Sequence, residues 1–258
     1  MRHFNRGQIQ YPNVLRGCAG LWIPALGGTG SVVHDVMRGN DATFAAGMDI
    51  ATDWVSKENA IGIDFDGVND RLTSAYNEPP GSALSVLSWY RPSVITNGPS
   101  FGRWRNGTND RSWMLHSGGF IISTDGLQNS NWEAIDSSRI VANQWNLLVG
   151  VWSAGSVARS FVNGRLAATA VTAISSLRSG TMVTTFGETE SGALDFTGQI
   201  AVAGVWNRAL TEAEIRVIWQ MGPNGFCVSR QSRNYKSAAG FRPHWASQRT
   251  QIISGGTR

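Results

Sequence analysis

The chain has 258 residues, with 30 Gly, 11 Trp and only 16% charged side chains. That balance suits many short strands joined by tight turns around one aromatic core, and it excludes disorder, a coiled coil and collagen. The net charge of +4 is uneven: residues 1–34 hold Arg2, Arg6 and Arg16, residues 215–258 hold Arg216, Arg230, Arg233, Lys236, Arg242, Arg249 and Arg258, neither end has an acid, and these ten cations leave the body between them at −6.

No stretch of about 18 apolar residues is present, so no membrane-spanning helix is expected. The first ten residues lack an apolar signal region, which points to synthesis and retention in a cytoplasm. Two cysteines, Cys18 and Cys227, fit that setting and read as buried thiols in preference to a disulfide.

In chain order, residues 1–16 read as an extended arm, since Tyr11-Pro12 discourages helix. Gly20-Leu-Trp-Ile-Pro24 is a short first strand, and Gly27 to Gly30 is a turn. Residues 34–44 form a polar loop that leads into a strand. Residues 60–66 alternate with period two, as a half-buried strand does, and Gly67-Val-Asn-Asp70 turns the chain. Residues 82–90 are a strong strand carrying Leu84, Val86, Leu87 and Trp89. Residues 97–111, rich in Gly, Asn and Arg, read as a loop. Residues 112–116 and 120–123 are short strands, 124–138 is polar, and 144–152 is another buried strand. Asn163-Gly164, set between apolar alternations, demands the positive φ angles of a type I′ hairpin. Residues 181–186 are a further strand.

Residues 200–206 are a continuous apolar run, and the one fully punctuated helix follows. Thr211 and Glu214 make a capping box, Ile215, Ile218 and Trp219 give the 3.6-residue stripe, and Gly222-Pro223 stops it. Residues 223–258 read as a basic tail of irregular structure with scattered anchors. Its Arg230, Arg233, Tyr235, Phe241, Arg242, Trp245 and Arg249 suit docking onto a partner chain. The cations are too sparse for a nucleic-acid arm.

Seven stretches fall in the order of the laminin-G-like domains of the concanavalin-A-like lectin–glucanase class, of the type encoded by tailed bacteriophages. They are Gly20-Leu-Trp-Ile-Pro, Asp35-Val-Met-Arg-Gly-Asn-Asp-Ala-Thr-Phe, Phe65-Asp-Gly-Val-Asn-Asp70, Leu84-Ser-Val-Leu-Ser-Trp, Gln144-Trp-Asn-Leu-Leu-Val-Gly-Val-Trp, Phe161-Val-Asn-Gly, and Phe196-Thr-Gly-Gln-Ile through Ile215. The resemblance implies an all-β fold: an antiparallel jelly-roll β-sandwich with one short C-terminal helix and extended arms. It sets an N-terminal arm at 1–16, the sandwich at 17–222 and the docking tail at 223–258. One departure stands out. Where such domains end on Gly-x-Ile-Asp-Glu, this chain has Gly198-Gln-Ile200-Ala201-Val202, which predicts packing against a dry surface there.

A glycosidase of this class needs two carboxylates spaced as Glu-x-Asp-x-x-Glu, and no such segment exists. Glu188-Thr-Glu190 has the wrong spacing, and His3, His34, His116 and His244 lie far apart with no metal-ligand spacing, so no enzyme activity is expected. Asp64, Asp66, Asn69 and Asp70 could supply oxygens to calcium, but they lack EF-hand spacing and suit an Asx-type turn at a strand end better. The candidate glycan site is Trp104, Arg105, Asn106, Asn109 and Arg111, with Trp132 following. An exposed Trp offers a flat face to a sugar ring, while Arg and Asn fork to hydroxyls. The alternative is that Trp104 and Trp132 tuck into the sandwich edge or a subunit contact.

The resemblance and the basic ends together point to a non-enzymatic structural protein of a phage particle, on head or tail. Its arms would bind capsid or tail subunits, with self-association as a homo-oligomer. A host-glycan lectin is the alternative reading, and a glycoside hydrolase the third. No cofactor and no membrane partner are expected.

Overall fold

A computed structural model describes residues 14–26, 28–45, 47–95, 98–106, 110–116, 119–127 and 131–226. Its strands are β1 (Cys18–Trp22), β2 (Gly28–Thr29), β3 (Val32–Val33), β4 (Ala42–Phe44), β5 (Trp54–Lys57), β6 (Ala60–Asp66), β7 (Leu72–Ser74), β8 (Ala83–Pro92), β9 (Pro99–Arg105), β10 (Asp110–His116), β11 (Gly119–Ser123), β12 (Asn131–Ile135), β13 (Asn146–Ser153), β14 (Ser156–Val162), β15 (Arg165–Ile174), β16 (Thr184–Phe186) and β17 (Thr197–Trp206). One helix, α1 (Glu212–Met221), follows.

These strands pair antiparallel into two sheets. One runs β15-β14-β13-β8-β17-β6-β5, with β1 bonded to β17 beside that path; the other runs β12-β11-β10-β9-β16-β7-β4-β3-β2. Partners distant in sequence, such as β8 with β17 and β9 with β16, make this the jelly-roll sandwich expected from the sequence.

Aromatic side chains fill the space between the sheets. Trp22 meets Tyr76, Phe101 and Phe186 edge-on, with ring centroids 6.0, 5.6 and 5.3 Å away, the geometry that ring quadrupoles favour. A second apolar layer lies on the other face of the eight-stranded sheet, so β8 is buried on both sides. Leu84, Val86 and Tyr90 face the sandwich interior, while Leu87 and Trp89 face the second layer. Ile215 and Ile218 of α1 cover that layer, together with Val14, Leu21, Ile23 and Phe226.

The missing carboxylates of the closing strand are explained by this layer. A bulge interrupts the β17–β8 register between Ile200 and Val202, which lets Ala201 and Val202 both face outward while Ile200 and Ala203 face in. Ala201 and Val202 are 2% and 0% exposed. Charges there would be buried without partners.

The helix signals are realised. Thr211 Oγ1 accepts from the Glu214 N–H at 3.2 Å, Glu214 Oε2 accepts from the Thr211 N–H at 2.9 Å, and Gly222 ends the helix at φ 69°. Trp219 departs from the expected stripe: it is 37% exposed and stacks on Trp89 at 5.2 Å. Asn163 and Gly164 hold φ angles of 51° and 77°, as the hairpin demands. Cys18 is an unpaired, buried thiol whose pKa burial pushes up to about 12; Cys227 lies outside the described residues. No helix among the described residues is long and apolar enough to cross a membrane.

Residues 97–111, expected as a loop, hold all of β9 and the start of β10, and the polar stretch 124–138 holds β12. The polar composition of β9 masked its pattern, because its inward Arg103 is fully buried and donates to three backbone carbonyls, Glu78 at 2.8 Å, Gly180 at 3.3 Å and Met182 at 3.2 Å.

Candidate functional site

The sequence-predicted glycan residues gather at the β9–β10 hairpin, where Trp104 pairs with Arg111 and Arg105 with Asp110. Trp104 lies on the face of the nine-stranded sheet that turns away from the core, in a small cluster with Met114, Ile121 and Leu194. Leu194 comes from the connection between β16 and β17, which folds over this face.

Trp104 is therefore not the exposed platform the sequence suggested. It is 3% exposed, its Nε1 donates to Asn106 Oδ1 at 3.0 Å, and the Arg111 guanidinium covers its ring at 5.7 Å. Arg111 is itself 5% exposed and donates to the Gly126 carbonyl at 3.2 Å. The tucked alternative describes Trp104. Trp132 pairs through its backbone with Ile122; its side chain, and the whole of Asn109, lie outside the described residues. So do the docking residues Arg230, Arg233, Tyr235, Phe241, Arg242, Trp245 and Arg249.

Beside this buried cluster is a half-exposed polar network. Arg105 Nη1 lies 3.5 Å from Asp110 Oδ2 and its Nη2 pairs with Glu190, a contact that raises the guanidinium pKa. Arg178 Nε approaches the other Asp110 oxygen at 4.0 Å, and Thr181 Oγ1 donates to Asp110 Oδ2 at 3.0 Å. Glu190 Oε2 accepts from the Val183 N–H at 2.9 Å, and the Asn106 N–H donates to Ser191 Oγ at 2.9 Å. The carboxylates sit inside and the guanidinium groups outside: Asp110 and Glu190 side chains are 12% and 18% exposed, those of Arg105 and Arg178 32% and 45%. Asp110 rests against Gly180, where a Cβ would fall 1.6 Å from Asp110 Oδ1. Asp110 lies within the loop the sequence singled out, as a hydrogen-bonding partner for hydroxyls and not as the anchor it is; Arg178 and Thr181, some seventy positions further on, were missed, because nothing local in the sequence ties them to Asp110.

Glu188, the other carboxylate of the Glu-x-Glu pair, is 6% exposed and accepts from Arg71 Nη1 at 3.2 Å. Arg71 also reaches the carbonyls of Thr189 and Glu190 at 3.4 and 3.3 Å. Glu188 and Asp195 face each other across an isolated backbone bridge, and burial raises the pKa of both.

The acidic residues considered for calcium make turn bonds. Asp66 Oδ1 accepts from the Val68 N–H at 2.7 Å and Asp70 Oδ2 from the Asp66 N–H at 2.8 Å, while Asp64 accepts from Gln199 Nε2. Among the described residues, no group of three or more His, Cys, Asp or Glu is arranged to hold a metal ion. His34 pairs with Asp41 at 2.8 Å, and His116 is buried on β10 with neither ring nitrogen bonded.

The family model for the concanavalin A-like lectin/glucanases superfamily matches residues 66–216. No curated protein sequence matches the chain. Among solved structures, the receptor binding domain of botulinum neurotoxin D superposes with a TM-score of 0.58 at 11% identity, over 80% of this chain and 53% of that one. The botulinum neurotoxin serotype D ligand binding domain in complex with N-acetylneuraminic acid gives 0.57 at 12% identity, over 79% and 50%. A Trypanosoma rangeli sialidase in complex with sialic acid gives 0.54 at 15% identity, over 80% and 33%. The chain thus spans about half the length of the toxin domains and a third of the sialidase, and at these identities the likeness is one of fold.

Proposed function

This chain belongs to the concanavalin A-like lectin/glucanases superfamily, and from that premise we propose that it is a non-enzymatic lectin-like module that recognises glycan beside the β9–β10 hairpin. The observation that carries the reading is the pair of guanidinium groups, Arg105 and Arg178, approaching Asp110 from either side with their outer edges in solvent. Buried carboxylates hold these forks in place, so little side-chain entropy is lost when they bond sugar hydroxyls or a sugar carboxylate. That the toxin ligand binding domain of similar fold was crystallised with N-acetylneuraminic acid supports the same class of ligand.

A non-catalytic role is supported by the acidic pair. Glycosidase carboxyls stand about 5–5.5 Å apart when retaining and about 6.5–9.5 Å apart when inverting, with the sugar between them. Glu188 is instead buried and occupied by the Arg71 guanidinium at 3.2 Å, which leaves no room for a sugar between it and a second carboxyl. On a glycan array the wild type gives specific signals, Arg178→Ala weakens them about tenfold or more, and purified protein hydrolyses no β-glucan. A silent array for the folded wild type overturns the lectin reading.

We further infer that the sandwich is carried as a structural component of a phage particle, on head or tail, made in the host cytoplasm and held by arms 1–16 and 223–258. Support comes from the ends of the sequence, where residues 215–258 hold seven cations and no acid among spaced aromatics, a composition suited to a protein interface. Deleting 227–258, which spares the Phe226 that packs on the second apolar layer, releases the protein from particles while the sandwich stays folded; truncated protein retained on particles sinks this reading.

A further inference from the structure

The negative charge of the sandwich is concentrated in one stretch. Residues 35–70 hold eight acids and two cations, Arg38 and Lys57, a net of −6 that equals that of the whole body between the basic ends. Within this stretch β5 and β6 form one edge of the eight-stranded sheet.

The fold decides which way these carboxylates point. Along β6, Ile63 and Phe65 lie in the sandwich core, while Ala60 lies in the second apolar layer on the outer face. Strand alternation sends Asp64 and Asp66 to that outer face as well. Asp53 stands beside them, its carbonyl accepting from the Asp64 N–H at 2.8 Å. These three carboxylates bond Gln199, Thr52 and the backbone N–H groups of Asp49 and Val68. None has a cation partner among the described residues. Arg91, on the same face, is taken by Glu58 at 3.5 Å and Gln199 at 3.1 Å.

The basic tail starts on this face. Phe226 is 4% exposed and shares the second layer with Ala60, and the Asn224 side chain donates to the Asn59 carbonyl in the β5–β6 turn. From Asn59 to Asp66 is the length of β6, seven residues or about 23 Å. Residues 227–258 hold six cations and no acid, and the ten residues from Phe226 to Lys236 span at most about 35 Å. A cationic segment is thus tethered within reach of a strip of carboxylates that lack cations. One exposed ion pair alone is weak, but tethering makes the encounter intramolecular, at a roughly millimolar effective concentration.

We propose that residues 227–258 dock on the outer face of their own sandwich, along the strip of Asp53, Asp64 and Asp66. The contact belongs to the free protein, so it stands without the particle reading. A partner that takes the tail must first displace it from this strip, which makes the strip a brake on docking.

The test uses the full chain and a zero-length carbodiimide, which joins an amine to a carboxylate it touches. Lys57 and Lys236 are the only lysines, so the tail reports through one residue. Peptide mapping of the monomer at low salt finds Lys236 joined to Asp53, Asp64 or Asp66. The yield falls about fivefold or more in 1 M NaCl, where the screening length is about 3 Å. Mixing 14N and 15N protein separates own tail from neighbour: links within one isotope population support the proposal, and hybrid links assign the strip to a second copy and overturn it. The triple variant Asp53→Asn, Asp64→Asn, Asp66→Asn keeps an acceptor oxygen at each position. Trypsin cuts it after Arg230 and Arg233 roughly three- to tenfold faster than wild type. Lys236 joined elsewhere or nowhere overturns the proposal, as do unchanged trypsin rates in a triple variant that melts with wild type. Should that variant melt early, the wild-type cross-link decides.

Discussion

Gly150 of β13 and Phe120 of β11 face each other across the sandwich, and a Cβ on Gly150 would fall 2.3 Å from Phe120 Cγ. The missing side chain on one sheet is filled by the ring from the other. This is how the two sheets approach closely with 0% of Phe120 exposed. Gly150→Ala therefore overpacks the core and costs about 1–3 kcal/mol. Urea unfolding would show a lower midpoint with an unchanged slope. Adding Phe120→Leu to Gly150→Ala recovers part of the loss; strictly additive losses would disprove the contact.

Trp219 stacks on Trp89 with the planes 14° apart, and Gly164 of the hairpin lies under it, where a Cβ would meet Trp219 Cβ at 3.0 Å. Besides the buried Ile215 and Ile218, the helix is thus clamped at its C-terminal end by this partly exposed ring. Trp219→Ala removes the stack and part of the apolar cover, for about 1–2 kcal/mol. Thr211→Ala removes the cap for about 1 kcal/mol. Thermal unfolding of both variants measures this, and a Trp219→Ala protein as stable as wild type would count against the clamp.

The elements that announced themselves in sequence are those whose logic is local. The Thr211–Glu214 box, the Asn163-Gly164 turn and the alternation of residues 60–66 each depend on neighbours within a few positions. Even the dry surface under Ala201 and Val202 was readable, as two missing charges. What could not be read depends on chain segments distant in sequence. Trp104 looked exposed because its strand is polar, but Leu194, some ninety positions later, covers it. Arg103 made β9 look like a loop because the carbonyls that satisfy it belong to residues 78, 180 and 182. The Asp110 that anchors the candidate site meets Arg178 only through the fold.

Arg103 itself yields the next expectation. Its guanidinium joins β9 to the segments before β8 and before β16, and burial lowers its pKa. Lys carries the charge but not the planar fork, so it cannot serve three carbonyls in two directions. Arg103→Lys should cost about 2–4 kcal/mol through groups left buried and unbonded. Because these segments carry Gly180 and Thr181, which border Asp110, the same variant should weaken any glycan signal at Arg105 and Arg178. A loss of stability below about 1 kcal/mol would show that the carbonyls find other partners.

Two buried groups give stability slopes of opposite sign in the same pH range. Burial lowers His116 to a pKa of about 4. Below its ordinary value of about 6.5 the unfolded chain takes a proton that the folded chain refuses, so stability falls as pH drops from 6.5 towards 4. Asp70 is raised to about 6, first by burial and then by Asp66, Asp53 and Asp64. Here the folded chain keeps a proton that the unfolded chain gives up, so stability falls as pH rises from about 4 towards 6. The two effects oppose each other in wild type, and single variants separate them. His116→Phe flattens the acid-side loss, leaving a protein whose stability declines from pH 4 to 6. Asp70→Asn, which can still accept from the Asp66 N–H, gains stability at pH 7 and little at pH 4, exposing the His116 slope. Urea midpoints across pH 4–7 measure both. A wild-type-like profile in either variant would remove that residue from the account.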